Sequence, residues 1–311
     1  MTWDERHVPD QTGRTAIVTG ANSGLGYENS RALATKGAHV VMGVRSISKG
    51  ETARQSILDL TPDALVEIRE LDLADSGSIA SFTRSMEKDF EKVDLLINNA
   101  GVMAIPESKT ADGFEMQFGT NHLGHYSLTA QLLPLLVQTA GSRVVTVTST
   151  ARHFGRPVDP DNPHLEGEYD KWRAYGQSKL ANLHFALGLE RRFRDARAQT
   201  QSLVAHPGLT RTELQVNTTK AGGGDASEKA AARFGMDPER GALPQLRAAT
   251  DHRASGGQLY GPRWFQFGDP VRLPLFGRSK NQKSIDTLFD VSKRETGLEL
   301  DVAEAIAGSQ T

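Results

Sequence analysis

The feature that most constrains the fold is the alternation of short apolar runs with longer amphipathic stretches. Runs rich in Val, Ile or Leu lie at Thr15 to Thr19, His39 to Val44, Val66 to Leu71, Asp94 to Ile97, Arg143 to Thr148 and Gln201 to Ala205. Between them, Leu25 to Lys36, Ile79 to Phe90, Phe114 to Gln138 and Tyr175 to Arg194 read as helices long enough to cross over between parallel strands. Such alternation predicts an α/β fold, a doubly wound and mostly parallel sheet with helices on both faces. A helix from Pro238 to Ala249 and a strand at Gln258 to Tyr260 would bring the sheet to about seven strands. Lys220 to Ser227, with three consecutive glycines, reads as a loop, with a substrate lid as the second reading. No internal repeat or linker divides the chain, so residues 1–311 read as one domain.

Composition removes several classes of function. With 36 basic and 38 acidic side chains the formal charge is -2, which offers no electrostatic case for nucleic acid or an anionic membrane. The chain has no cysteine, so disulfides, thiolate metal sites and cysteine nucleophiles are excluded. Nine histidines carry no His-Glu-x-x-His or carboxylate cluster at ligand spacing, so no metal site is expected. Residues Met1 to Gly13 lack the apolar stretch of a secretory leader, and no window has the roughly 18 apolar residues that span a bilayer. A cytoplasmic protein without a membrane anchor is expected, and both a homo-oligomer and a monomer remain open.

The first strand runs into Thr19-Gly20-Ala21-Asn22-Ser23-Gly24-Leu25-Gly26, and a helical pattern follows at once. Glycines between a strand and a helix let backbone approach a pyrophosphate at the helix N-terminus, where free N–H groups and the dipole favour anions. The spacing is Gly-x3-Gly-x-Gly, not the usual Gly-x-Gly-x-x-Gly. About 20 residues beyond such a turn an NAD site presents a carboxylate to the ribose 2′-hydroxyl. Here Val44-Arg45-Ser46 stands at that place, with no acid before Glu51. Arg45 can pair with a 2′-phosphate and Ser46 can add a hydroxyl donor, so NADP(H) is expected over NAD(H).

Tyr175 and Lys179 share one face of a predicted helix, and Ser149 lies at the carboxyl end of the fifth strand, where ligands gather in such sheets. Tyrosine at an ordinary pKa of about 10 is a poor base near neutral pH, so a neighbouring ammonium has a physical reason to be there. Lys179 is expected to favour the phenolate, and Ser149 to orient a substrate oxygen.

In this order the motifs resemble the short-chain dehydrogenase/reductase family over about residues 14 to 212. The resemblance implies a Rossmann-type sheet and a cofactor site made by Gly20, Asn22, Ser23, Gly24, Leu25 and Gly26. To these it adds Asp72 and Leu73 near the adenine and the run Asn98-Asn99-Ala100-Gly101 after the fourth strand. Pro207-Gly208-Leu209-Thr210 matches the family's turn against the nicotinamide, with Thr210 bonding the carboxamide. Tyr175 and Lys179 serve both cofactor and chemistry, and Asn121 holds a water that links the lysine to solvent. Many members have Ser-Ser where this chain has Thr148-Ser149; Ser149 is assigned as the reactive serine.

The glycine turn and a C-terminal Tyr260-Gly261-Pro262 resemble the branch that includes retinol dehydrogenases and protochlorophyllide reductases. This implies a carbonyl–alcohol oxidoreductase acting on an apolar small molecule, with residues 206–311 supplying the substrate loop and C-terminal segment. A C=C reductase and a non-catalytic NADP(H) sensor are the alternatives. The aromatic stretch Tyr260 to Phe267 reads equally as pocket lining or core.

Overall fold

The structure, a computed structural model, describes residues 2–211 and 235–308, and the glycine-rich stretch Lys220 to Ser227 lies outside them. The strands β1 (Thr15–Thr19), β2 (His39–Val44), β3 (Val66–Glu70), β4 (Leu95–Asn98), β5 (Arg143–Val147), β6 (Gln201–Ala205), β7 (Leu259–Pro262) and β8 (Pro270–Leu273) form one sheet. Its order is β3-β2-β1-β4-β5-β6-β7-β8. Every neighbouring pair is parallel except β7 with β8. Among the described residues the sheet thus has eight strands where about seven are expected. β8 has no apolar run to announce it, and its proline and half-exposed residues are tolerated because it lies at the sheet edge.

The chain moves outward from β1 to β3 and then crosses back to β4, so the strand order reverses between β1 and β4. A crevice opens at the carboxyl ends of strands on either side of such a reversal. Period-two alternation divides the core between the two faces. Ile17 and Val41 pack with Phe185 and Leu189, while Ala16, Val18, Val40 and Met42 pack with Leu33 and Leu246. Each buried Val, Leu, Ile or Phe contributes on the order of 1.5–3 kcal/mol relative to exposure.

The helices are α1 (Gly24–Thr35), α2 (Ile47–Leu60), α3 (Ser76–Asp89), α4 (Met116–Phe118), α5 (Gly124–Gln131), α6 (Leu133–Val137), α7 (Lys171–Asp195), α8 (Pro238–Thr250), α9 (Gln282–Thr296) and α10 (Val302–Gly308). The stretch Phe114 to Gln138 is not one helix: a π-turn at Gly119–Leu123 joins α4 to α5, and α6 begins with Pro134 in its first turn. Two glycines explain the close packing at the π-turn. A Cβ on Gly119 would lie 2.5 Å from the Thr110 methyl, and one on Gly124 would lie 2.3 Å from the Leu73 carbonyl oxygen. Helix α7 starts four residues before Tyr175, capped by the Asp170 carboxylate, which accepts from the backbone N–H groups of Trp172 (3.1 Å) and Arg173 (2.8 Å).

Of the aromatic stretch Tyr260 to Phe267, Tyr260 belongs to the core, while the three aromatic residues after β7 are neither core nor pocket wall. Trp264, Phe265 and Phe267 are exposed in the β7–β8 turn, and only Gln266 of that turn reaches the crevice, donating to Thr150 Oγ1. Among the described residues, no helix is long and apolar enough to cross a membrane.

Candidate active site

The nucleotide end is built at the junction of β1 and α1. Gly20 and Gly24 have positive φ, +64° and +53°, which L side chains adopt only with strain. Ser23, the N-cap of α1, makes no side-chain cap bond, so the first N–H groups of the helix remain available to an anion. Gly26 has a different reason to be glycine: a Cβ there would lie 2.2 Å from the Gly20 carbonyl oxygen. It supports the turn from behind and does not line the crevice.

A cavity of about 530 Å³ extends from this turn across the carboxyl ends of the strands. Gly20, Asn22, Ser23, Gly24 and Leu25 line one end. Arg45, Asp72 and Leu73 close its far side, and Asn99, Ala100 and Gly101 form the floor. Ser149, Tyr175 and Lys179 stand at the other end with Pro207, Gly208 and Thr210.

Besides Gly26, three expected residues do not line the cavity. Ser46 caps α2, accepting from Lys49 N and bonding Ser48 Oγ at 3.2 Å, so its hydroxyl is used locally. Asn98 is buried beneath the floor, where it donates to Thr129 Oγ1. Asn121 is fully buried in the π-turn. Its Oδ1 accepts from Val102 N (2.7 Å), and its Nδ2 donates to Val102 O and Ser178 Oγ, both 2.9 Å. Its side chain thus clamps the floor loop and leaves only its carbonyl oxygen to face other partners. Lys49, which the sequence reading passes over, lines the crevice beside Arg45. Its position four residues on, in the first turn of α2, is the signal that could have revealed it.

At the chemical end, Lys179 Nζ lies 5.8 Å from the Tyr175 ring centroid and 3.5 Å from the Val147 carbonyl oxygen. Ser149 lies two residues beyond β5 as the N-cap of a 3-10 turn at Thr150–His153, accepts from Ala151 N and hydrogen-bonds Tyr175. Thr148 packs against the helix, donating to the Lys179 carbonyl. Burial pushes the Tyr175 phenol up to about 12, opposed by the Ser149 hydrogen bond, and pushes the Lys179 ammonium down to about 8. The expected acidification of the phenol by Lys179 does not enter this balance, which is set by burial against the Ser149 hydrogen bond. A phenol in this setting is protonated at neutral pH, the form that delivers a proton to a carbonyl oxygen.

His122 and His206 have structural partners. His122 stacks on Phe118 and bonds Ser292 Oγ at 2.8 Å, and His206 Nδ1 accepts from Gly208 N at 3.2 Å. Burial lowers His122 to about 3, His125 to about 4 and His206 to about 3, from an ordinary 6.5. All three are neutral when folded and ordinary when unfolded, so the unfolded chain takes up protons first as pH falls. Their contribution is complete above about pH 6.5 and declines below it. Each excess proton weakens folding by about 1.4 kcal/mol per pH unit, or about 4 for three together. Denaturant midpoints at pH 7 and pH 5 should show a marked loss at pH 5; equal midpoints would show that these rings are not neutral and buried.

Residues 14–222 match the family model described as short chain dehydrogenase. The chain is 45% identical to retinol dehydrogenase 11 of Mus musculus over 202 residues, 65% of this chain and 63% of that protein. It therefore aligns with less than two thirds of that relative's length. With human retinol dehydrogenase 12 the identity is 36%, over 92% of this chain and 87% of the relative. A solved structure of a putative uncharacterized protein from Mycobacterium paratuberculosis superposes with a TM-score of 0.80 at 38% identity, covering 96% of this chain and 99% of that one. The glycine turn, the parallel sheet and these matches agree: the chain belongs to the short-chain dehydrogenase/reductase family of oxidoreductases, in its retinol dehydrogenase-like branch.

Proposed function

We propose that the protein is an NADP(H)-dependent oxidoreductase that interconverts a carbonyl and an alcohol on an apolar small molecule, with Tyr175 as general acid and base. The observation that carries this reading is one cavity with the glycine turn at one end and Tyr175, Lys179 and Ser149 at the other. The residues present suit a dinucleotide: positive-φ glycines, an uncapped helix N-terminus and two cations, Arg45 and Lys49, where a 2′-phosphate would lie. When bound, NADPH supplies the hydride that the carbonyl carbon accepts. Ser149 holds the carbonyl oxygen, Tyr175 donates its hydroxyl proton to it, and the ammonium of Lys179 stabilises the phenolate left behind. Val102, Ala151, Phe154, Trp172 and Leu209 offer apolar surface around this end, in keeping with an apolar substrate. A cytoplasmic setting belongs to the same proposal.

Following NADPH absorbance over a panel of aldehydes, ketones and conjugated alkenes tests the reaction. Turnover of carbonyls supports it; turnover of alkenes alone would move the assignment to C=C reduction, and no turnover with NADPH bound would favour a sensor. Arg45→Ala should weaken NADPH binding by about tenfold or more and leave NADH unchanged, since a charge-assisted phosphate contact is worth about 1.5–3 kcal/mol. Equal NADPH and NADH dissociation constants in the parent protein, by fluorescence titration, would refute the cofactor preference.

A further inference from the structure

His125, in α5, does not itself line the cavity and contacts no group used in the reaction above, yet every polar atom of its ring is committed. It is fully buried, with Nδ1 2.9 Å from the Asn121 carbonyl oxygen and Nε2 2.9 Å from Thr19 Oγ1. A carbonyl oxygen only accepts, so Nδ1 carries the proton and Nε2 offers its lone pair to the Thr19 hydroxyl. Thr19 Oγ1 in turn accepts from the backbone N–H groups of Asn99 and Ala100, both at 2.9 Å, and its one proton has His125 Nε2 at 2.9 Å as a nearer acceptor than the Ile97 carbonyl oxygen at 3.4 Å. The direction of each hydrogen bond from the crevice floor to the π-turn is thereby set. A second proton on the ring would face the hydroxyl donor, and the nearby charge of Lys179 opposes it as well.

The chain of bonds joins two halves of the site. On one side are Thr19, at the end of β1 where the glycine turn begins, and Asn99 and Ala100 of the floor. On the other is Asn121, whose side chain clamps Val102 and whose Oδ1, like Lys179 Nζ, lies against Gly101. We propose that His125 is a positioning residue, a permanently neutral strut of fixed tautomer that sets the spacing between the nucleotide-binding floor and the Asn121–Lys179 side of the proton-delivering centre. It acts through Thr19 and Asn121, not on substrate. The activity arm of the test rests on the proposed function; the tautomer and cofactor-binding arms do not rest on the substrate assignment.

The ring can be read directly by nitrogen NMR of the histidine-labelled full chain. His125 should show the Nδ1–H tautomer without titration from about pH 5.5 to 8; an Nε2–H tautomer or a titration in that range would overturn the proposal. Two substitutions then separate the links. In His125→Asn the short amide keeps a donor near the Asn121 carbonyl but cannot reach Thr19. In His125→Gln the amide oxygen takes the place of Nε2 and keeps the Thr19 link. NADPH dissociation constants should rise about tenfold in the Asn variant and stay within about twofold in the Gln variant. The Gln variant should instead lose about tenfold in kcat with KM little changed. Folded variants with identical dissociation constants and identical kcat would reduce His125 to core packing and overturn the proposal. If either variant fails to fold, Thr19→Val and Thr19→Ser replace it: the valine should weaken NADPH binding about tenfold and the serine should restore it. Parental binding in Thr19→Val would equally overturn the strut.

Discussion

Tyr175→Phe is expected to lower turnover by about a hundred- to ten-thousandfold, the range over which a positioned acid contributes, while NADPH still binds. The substitution removes one hydroxyl and keeps the ring that packs against Trp172, at 6.1 Å between centroids. Ser149 retains its bond from Ala151 N, so no buried polar group is orphaned and the fold should survive. Steady-state rates beside a cofactor titration decide the matter: retained turnover would remove Tyr175 from the chemistry, whereas lost cofactor affinity would mark it as a binding residue. Lys179→Met should differ by weakening both, because its ammonium faces the floor at Gly101 as well as the phenol.

Gly26→Ala should be the most damaging conservative change at the nucleotide end. The added Cβ would stand 2.2 Å from the Gly20 carbonyl oxygen and 2.7 Å from Asn99 Nδ2. The first of these is backbone in a turn that has no room to retreat, and Asn99 Nδ2 is itself bonded to the Thr19 carbonyl at 2.9 Å. Relief requires moving α1 away from β1, at a cost of about 1–3 kcal/mol for overpacking and more where the obstacle is backbone. NADPH affinity should fall with it, because α1 carries the anion-facing N–H groups. Gly24→Ala, by contrast, asks an alanine to adopt φ near +53°, at about 1–2 kcal/mol, and should bind cofactor more weakly in a fold that is mostly intact. Chemical denaturation and NADPH titration of the two variants give the comparison; parental stability in Gly26→Ala would show that the helix does not pack on the turn as described.

The different fates of these glycines show how far sequence reading reaches. The Gly-x3-Gly-x-Gly spacing announces a phosphate turn, but Gly24 and Gly26 look alike in it. Positive φ at one and backbone contact at the other are products of the fold. The strands were legible because residues buried on both faces favour unbroken apolar runs, as in β1, where all five positions are buried and Ala16, Ile17 and Val18 form the run. The stretch Phe114 to Gln138 misled because its apolar content is helical throughout, whereas the π-turn depends on how Gly124 meets Leu73, a residue far away in the chain. Helix α9 was missed between turn-like residues, although it lays Phe289 against Gly188 of α7.

By itself the sequence determined the parallel sheet, the place of the glycine turn and the pairing of Tyr175 with Lys179, because hydrophobic period and helical spacing are local properties of the chain. Tertiary structure alone decided that Asn121 clamps the floor loop, that Lys49 joins Arg45 at the crevice and that Ser46 turns away to cap a helix. It also decided the protonation of the phenol. Tyr175 titrates high because desolvation at the junction of β5 and α7 outweighs the Ser149 hydrogen bond, and desolvation depends on everything packed around a group, which no spacing of residues records.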